Sequence, residues 1–277
     1  MKRKLSIALI LIFLILFCIY ELFQNFIIDI ETINVENTKY NKNLDEIKIA
    51  NISDIHMPTS KILIDEIVES LEKEKPDVIL LTGDIIDRKT DIFNSGLSDF
   101  CNRISKIAKC YAVSGNHEID NFYSLWEQVL RENNIILIEN KCEIYEKGRN
   151  KIAFLGLKYG SNYSSKLFKD IDEIQDIPKI VLVHNPNKFS AVFSDKNSII
   201  PDYMFSGHAH GGQIRIPIIN QGLFAPGQGF LPKFTSGLYE ADNGGKMIVS
   251  RGLGNGTLPI RINDRVHIPI LVIKTNN

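Results

Sequence analysis

The 277-residue chain is poor in cysteine and has almost no excess of either charge, and each scarcity closes off a class of function. Its four cysteines, Cys18, Cys101, Cys110 and Cys142, show no C-x-x-C spacing, which argues against a thiolate metal site. Three of them lie outside the N-terminal apolar run, an odd number for disulfide pairing, so buried free thiols are the expectation. Lysine and arginine number 32 against 33 aspartates and glutamates, a net charge of -1. That balance offers no basic face of the kind nucleic acid requires, and DNA or RNA is not expected as the main partner. There is no internal repeat and no low-complexity tract. What remains, 44% apolar and 23% charged residues over this length, fits one large globular domain.

One long apolar run stands apart. Met1-Lys2-Arg3-Lys4 is followed by Leu5 to Tyr20, interrupted only by Ser6, and Leu22 and Phe23 extend it past Glu21. A bilayer core takes roughly 20 helical residues, with about 17 as a lower limit, so residues 1–23 read as a signal-anchor transmembrane helix. A cleaved signal peptide is the competing reading, but no A-x-A-like site follows. The basic start places the N-terminus inside and the rest of the chain, anchored singly in the cell membrane, outside the cytoplasm. Residues 24–45 read as a polar connector and residues 46–277 as the domain.

From Ile47 onward, short apolar runs alternate with helical patterns. Strands are expected at Ile47–Ile52, Val78–Thr82, Tyr111–Ser114, Ile135–Ile138, Ile152–Leu157, Ile180–Val183, Tyr203–Ser206, Met247–Ser250 and His267–Ile273. A helix is expected at Ile62–Lys73, where Ile64, Ile67, Val68 and Leu71 recur on one face. Such alternation predicts an α/β domain with largely parallel strands. The Gly- and Pro-rich residues 211–245 are expected to be irregular and surface-exposed.

Polar residues able to hold metal follow directly after five of these runs: Asp54-Ile55-His56, Gly83-Asp84, Gly115-Asn116-His117-Glu118, His184, and Gly207-His208-Ala209-His210. Five of the six histidines are among them. Sites in α/β sheets form where loops leave the carboxyl ends of strands, so five such endings point to one shared site. A single histidine such as His184 is more often structural than a ligand; the joint pattern carries the inference.

In order, these five blocks resemble those of the calcineurin-like metallophosphoesterases, and the resemblance spans about residues 46 to 275. Gly211-Gly212-Gln213-Ile214-Arg215, Arg251-Gly252-Leu253-Gly254 and Leu258-Pro259-Ile260-Arg261 resemble the bacterial membrane-associated branch, related to UDP-diacylglucosamine hydrolases and phospholipid phosphodiesterases. The resemblance implies a four-layer α/β/β/α sandwich of two mixed sheets. It implies one metal held by Asp54, His56, Asp84 and His210 and a second by Asp84, Asn116, His184 and His208, with Asp84 bridging. Two divalent ions roughly 3.5–4 Å apart can clamp both ends of a displacement at phosphorus and lower the pKa of water toward about 7. Carboxylate, imidazole and amide donors without thiolate suit Mn, Fe or Zn, with Mn the family habit.

His117 resembles the family's leaving-group acid and Asp87 the carboxylate that orients it, with a helix cap or a solvated loop acid as the rival reading for Asp87. Arg88 reads as a surface arginine, Glu118 as a neighbour of the site with no required role. Leu223, Phe224, Phe230 and Leu231 either pack an active-site loop or touch an acyl chain. No segment matches the basic helical lid of UDP-diacylglucosamine hydrolases. The expected activity is hydrolysis of a phosphoester or diphosphate bond in a lipid-linked substrate, UDP-diacylglucosamine-like or a phospholipid, because the domain is read as tethered beside the bilayer. A nucleotidase or nuclease, and a catalytically silent metal-binding scaffold, are the rivals.

Overall fold

The computed structural model describes residues 2–25, 27–37, 46–119, 122–148, 150–168, 171–194, 199–256 and 260–275. Leu258-Pro259 of the sequence motif and residues 38–45 of the expected connector lie outside them.

Two six-stranded sheets form the body. The first runs Asp29–Asn37, His267–Thr275, Ile47–Ile52, Val78–Leu81, Lys109–Ala112, Ile135–Leu137; the second runs Gly237–Glu240, Lys246–Val249, Tyr203–Ser206, Lys179–Leu182, Asn150–Gly156, Cys142–Lys147. Pairing is largely parallel, as expected, with Ile47–Ile52 antiparallel to His267–Thr275 and one antiparallel edge pair at each end of the second sheet. The sheets face each other across a core that draws Ile49, Leu80 and Tyr111 from one and Phe154, Leu182 and Phe205 from the other. The Tyr111 and Phe154 rings stack at 4.8 Å across this interface.

The outer face of the first sheet is covered by helices Lys61–Glu74, Leu97–Ile104 and Tyr123–Glu132, through Ile67, Leu71, Phe100 and Trp126. Lys61–Glu74 begins where the Ser60 hydroxyl accepts a bond from the Leu63 N–H, carries a buried stripe of Leu63, Ile67, Val68 and Leu71, and stops at Lys75 in the left-handed region. Helix Phe189–Ser194 and short 3₁₀ turns cover the second sheet, through Phe168, Ile174 and Val192. Helical layers therefore flank the paired sheets on both sides. The cysteines are free, and burial pushes the Cys110 thiol up to about 12 and the Cys101 thiol higher still, so both are packing groups.

Two expectations are corrected. Part of the connector is structural: Asp29–Asn37 pairs parallel with His267–Thr275 along its whole length and buries Ile33 and Val35 in the core between the sheets. The membrane placement is overturned. The N-terminal helix, Lys2–Gln24, is docked at its end, with Glu21 and Gln24 buried. The Asn263 N–H donates to Glu21 Oε2 (2.8 Å), and Arg265 Nε donates to Gln24 Oε1. The apolar stretch left over, Leu5 to Tyr20, rises roughly 24 Å against a hydrocarbon core of about 30 Å. Among the described residues no helix is long and apolar enough to cross a membrane, so the single-pass, extracytoplasmic placement does not hold.

Candidate metal centre

Five parallel strands, three from the first sheet and two from the second, end at the same edge of the sandwich. Asp54, Asp84 and Asn116 follow Ile47–Ile52, Val78–Leu81 and Lys109–Ala112; His184 and His208 follow Lys179–Leu182 and Tyr203–Ser206. Asn51 ties the two sheets together just below, donating to the Ser206 carbonyl (3.3 Å) and accepting from the Thr82 hydroxyl (2.8 Å).

The backbone at this edge is unusual. Asp54, His56, Asp84, His208 and His210 all have positive φ, between 46° and 69°. Few residues other than glycine adopt that region, and such strain concentrates at functional sites because it aims side chains inward. Crowding sets the neighbouring residues: a β-carbon on Gly115 would strike the Asp84 carboxylate, and one on Gly207 would strike Ser53 and Asp54.

The seven residues expected to be ligands lie together: Asp54, His56 and His210 form one cluster, Asp84, His184 and His208 a second beside Asn116, and Asp84 also clusters with His56 and His117. His56 Nε2 lies 3.2 Å from His210 Nε2, which is 3.6 Å from Asp54 Oδ1. His184 Nε2 lies 3.1 Å from His208 Nδ1, 3.2 Å from Asn116 Oδ1 and 3.3 Å from Asp84 Oδ2. Asp84 Oδ2 is also 3.9 Å from His56 Nε2. Ligand atoms around an ion with bonds of about 2.1 Å stand about 3.0–3.4 Å apart, so most of these spacings are those of a coordination sphere. The His184 Nδ1–H donates to the Thr82 carbonyl (2.7 Å), which leaves Nε2 facing the group, as in metal-ligating histidines. These clusters are able to hold divalent ions; their donors are hard or borderline, with no thiolate.

Charge fits the same purpose. Burial lowers His56 to about 4 and His208 to about 3, and takes His210 well below its ordinary value, so all three are neutral near pH 7. Burial raises Asp54 to about 6, with Asp84 adding to the effect and His184 opposing it. Burial opposes ionisation of Asp84 too, but His184 and the other imidazoles outweigh it and hold this carboxyl well below the usual range. For His184 burial works against the proton, yet Asp84 beside it raises the ring to about 9.

His117 stands at the rim, its side chain 24% exposed, with Nε2 3.8 Å from Asp84 Oδ2 and Nδ1 2.9 Å from Asp87 Oδ1. The Arg88 N–H donates to the same Asp87 oxygen (2.6 Å), and the Arg88 guanidinium donates to the Asn116 carbonyl (3.0 Å), so this arginine braces the site. A cavity of about 280 Å³ opens over Asp84, His117, His208 and His210, closed on one side by Pro226 of the Gly-rich segment. That segment is not simply irregular: it forms hairpins Arg215–Ile216 with Gln221–Gly222 and Phe224–Ala225 with Gly229–Phe230, and buries Gln213, Arg215 and Thr235.

Glu118 has a role the sequence did not demand. Fully buried, its carboxylate accepts N–H bonds from Asp84 (2.9 Å), Ile85 (2.6 Å), Ile86 (3.2 Å) and Gly115 (2.7 Å), holding two site loops together. Burial raises its carboxyl to about 7 against the pull of those donors. Glu118→Gln puts an amide NH₂ against two of the four N–H groups whichever way it turns. At about 1–3 kcal/mol for each orphaned group, a loss of several kcal/mol and a clear fall in melting temperature are expected, with weaker metal binding. An unchanged melting curve would show that the four bonds contribute nothing.

Residues 47–212 match the family described as Calcineurin-like phosphoesterase. The uncharacterized metallophosphoesterase YkoQ of Bacillus subtilis (strain 168) is 29% identical over 231 residues, covering 80% of this chain and 82% of its own. The phosphodiesterase YaeI of Escherichia coli (strain K12) is 27% identical over 231 residues, 81% of each chain. An uncharacterized metallophosphoesterase of Aquifex aeolicus (strain VF5) is 27% identical over 274 residues, 92% of this chain and 95% of its own. A solved 5'-nucleotidase precursor from Thermus thermophilus covers 76% of this chain and 49% of its own at 12% identity, with a TM-score of 0.49.

Proposed function

The chain belongs to the calcineurin-like phosphoesterase family, and from that membership we propose that it hydrolyses a phosphodiester or diphosphate at a two-metal centre. One ion would be held by Asp54, His56, Asp84 and His210 and the other by Asp84, Asn116, His184 and His208. Manganese is the first choice, with iron or zinc compatible with the same donors. The observation that carries this reading is the Asp84 carboxylate, buried between two sets of ring nitrogens, with Oδ2 3.3 Å from His184 and 3.9 Å from His56. When bound, such ions would supply the charge that activates water and offsets the negative charge building on the phosphoryl oxygens. The protein's own groups position the phosphate, exclude bulk water from the strand ends, and hold a proton at His117 Nε2 for the leaving oxygen. Asp87 lies against the opposite ring nitrogen and so fixes the orientation of the ring.

A substrate carrying an apolar chain is a second reading, motivated by Phe224, Phe230 and Leu231, which are 40%, 77% and 60% exposed on the segment that brings Pro226 to the site. The test of both is a panel on the full chain with Mn²⁺: phosphomonoesters, aryl and alkyl phosphodiesters, UDP-lipids and glycerophospholipids. Diester turnover abolished by chelator and restored by Mn²⁺ supports the proposal. Two bound ions with no turnover of any member would make the chain a metal-binding scaffold instead, and turnover confined to nucleotides would move it to the nucleotidases.

Metal loading is expected to depend on pH through His184. Raised to about 9, the ring carries a proton at neutral pH that it must lose before Nε2 binds a cation, whereas His56 and His208 are already neutral. Affinity is therefore expected to climb about tenfold per pH unit from pH 7 to 9 and then level off, with roughly one proton released at pH 7. Calorimetry of Mn²⁺ binding in two buffers of different ionisation enthalpy measures that proton; none released would exclude a protonated His184.

A further inference from the structure

A second cavity, about 230 Å³, adjoins the metal centre on its far side, between residues 157–161 and 183–188. His184 belongs to both: its Nε2 faces Asp84 and Asn116, its side chain is fully buried, and the residue forms part of this cavity's wall. Tyr159 lies across it, its ring centroid 5.8 Å from that of His184 and 6.4 Å from that of His208. Among the described residues nothing hydrogen-bonds the Tyr159 hydroxyl, though the ring is partly buried.

Two lysines line the cavity, and they differ. The Lys158 ammonium is already engaged, 3.6 Å from Glu139 Oε2 and 4.4 Å from the centroid of the Tyr123 ring. The Lys188 ammonium donates only to the Asn162 side-chain oxygen (3.1 Å), a neutral partner, and has no carboxylate beside it among the described residues. In a chain whose charges nearly cancel, a cation left without a counter-charge in a concave site next to the reacting centre is the kind of group that recognises an anion. The volume lies below the roughly 300 Å³ at which pockets begin to enclose drug-sized ligands, so it suits one small group and not a second large body.

We propose that this cavity is a substrate subsite for a second anionic group, a phosphate or carboxylate, bound by the Lys188 ammonium and the Tyr159 hydroxyl while the scissile phosphate occupies the metal centre. The substrate class is then a phosphodiester or diphosphate that bears a further negative charge a few bonds from the bond cleaved. Placing the scissile phosphate rests on the two-metal reading; the anion subsite itself rests on the cavity, on a Lys188 ammonium that meets no carboxylate among the described residues, and on the Tyr159 hydroxyl.

The test uses the full chain with Mn²⁺ and three p-nitrophenyl phosphodiesters whose other arm is propyl, 3-phosphopropyl or 3-carboxypropyl. The wild type is expected to favour a charged arm by about tenfold or more in kcat/KM, chiefly through KM, as a charge-assisted hydrogen bond allows; the better of the two charged arms identifies the group. Lys188→Gln is expected to abolish that preference and leave the propyl ester within about twofold of wild type, and Tyr159→Phe to reduce the preference in part. Equal losses on all three esters, or no preference in the wild type, overturn the subsite. If the wild type cleaves none of them, the phosphodiester reading fails, and calorimetric affinity for 1,3-propanediol bisphosphate decides the subsite separately. About tenfold weaker binding in Lys188→Gln, with propyl phosphate unaffected, sustains it; equal affinity for the bisphosphate removes it.

Discussion

Asp84→Asn is expected to bind fewer than two ions per chain and to lose turnover by about a thousandfold or more, the equivalent of ~4 kcal/mol in the barrier. The substitution is nearly isosteric. The oxygen that accepts the His117 backbone N–H (2.9 Å) can remain, so the loop between Gly115 and Glu118 keeps its anchor. What disappears is the charge that both groups of imidazoles face. Two divalent ions in one site repel each other strongly, and in a buried setting an anionic ligand between them is the main offset. Asn offers one neutral oxygen, so at most one ion is expected to stay tightly bound. His184 reports the same loss independently, because the carboxylate that lifts it to about 9 is gone, and its ring is expected to titrate far lower. Elemental analysis, circular dichroism of the folded chain and diester turnover make the measurement. Two tightly held ions with normal rates in the variant would remove the bridging role of Asp84.

The parts of this molecule that its sequence made legible, and the parts it hid, divide along the sheets. Central strands such as Val78–Leu81 and Lys179–Leu182 are buried on both faces and read as continuous apolar runs, so they stand out. Of the two six-stranded sheets, the strands that escaped detection, Asp29–Asn37, Cys142–Lys147 and Gly237–Glu240, are three of the four sheet edges. Each alternates with glutamate, asparagine or lysine because one face or one side meets water, and in Asp29–Asn37 only Ile33 and Val35 betray the period of two. A strand of that composition is easily mistaken for a polar connector.

The site was legible for a related reason. A carboxylate or imidazole placed directly after a fully apolar run has left the sheet at its carboxyl end, and parallel strands bring such ends together whatever the order of the sheet. Glu118 lacked any such mark: its work is done on four backbone N–H groups, which leave no trace in the identity of their residues. Tyr159 and Lys188 were equally silent, since which groups a hydroxyl or an ammonium meets is a property of its surroundings. At the N-terminus composition misled outright, because hydropathy counts Glu21 and Gln24 as the fringe of an apolar run, whereas they are the residues that bond it to Asn263 and Arg265.

Removing the His117 side chain is expected to separate acid catalysis from metal binding. Asp87 Oδ1 accepts the Arg88 N–H (2.6 Å) and lies 2.9 Å from His117 Nδ1, which the Arg88 N–H also approaches (3.1 Å), an arrangement that fixes the ring and leaves Nε2 toward the cavity over Asp84. A proton on that nitrogen matters only to a leaving group that needs one. Nitrophenolate departs readily as an anion, whereas an alkoxide from a sugar or glycerol does not. General acid help is typically worth about 10²–10⁴-fold, so His117→Ala should lose that much on alkyl diesters and far less on nitrophenyl diesters, with both ions retained. Asp87→Ala should show a smaller loss with the same dependence on leaving group. His184→Ala and His208→Ala should instead lose metal and slow both esters together. The geometry also holds the rival outcome, because His117 Nε2 forms a third possible metal cluster with His56 and Asp84. Were His117→Ala to lose an ion and both activities equally, the ring would be a ligand. Equal losses with both ions in place would leave it positioning the phosphate or water, and in either case the proton would have to come from another group.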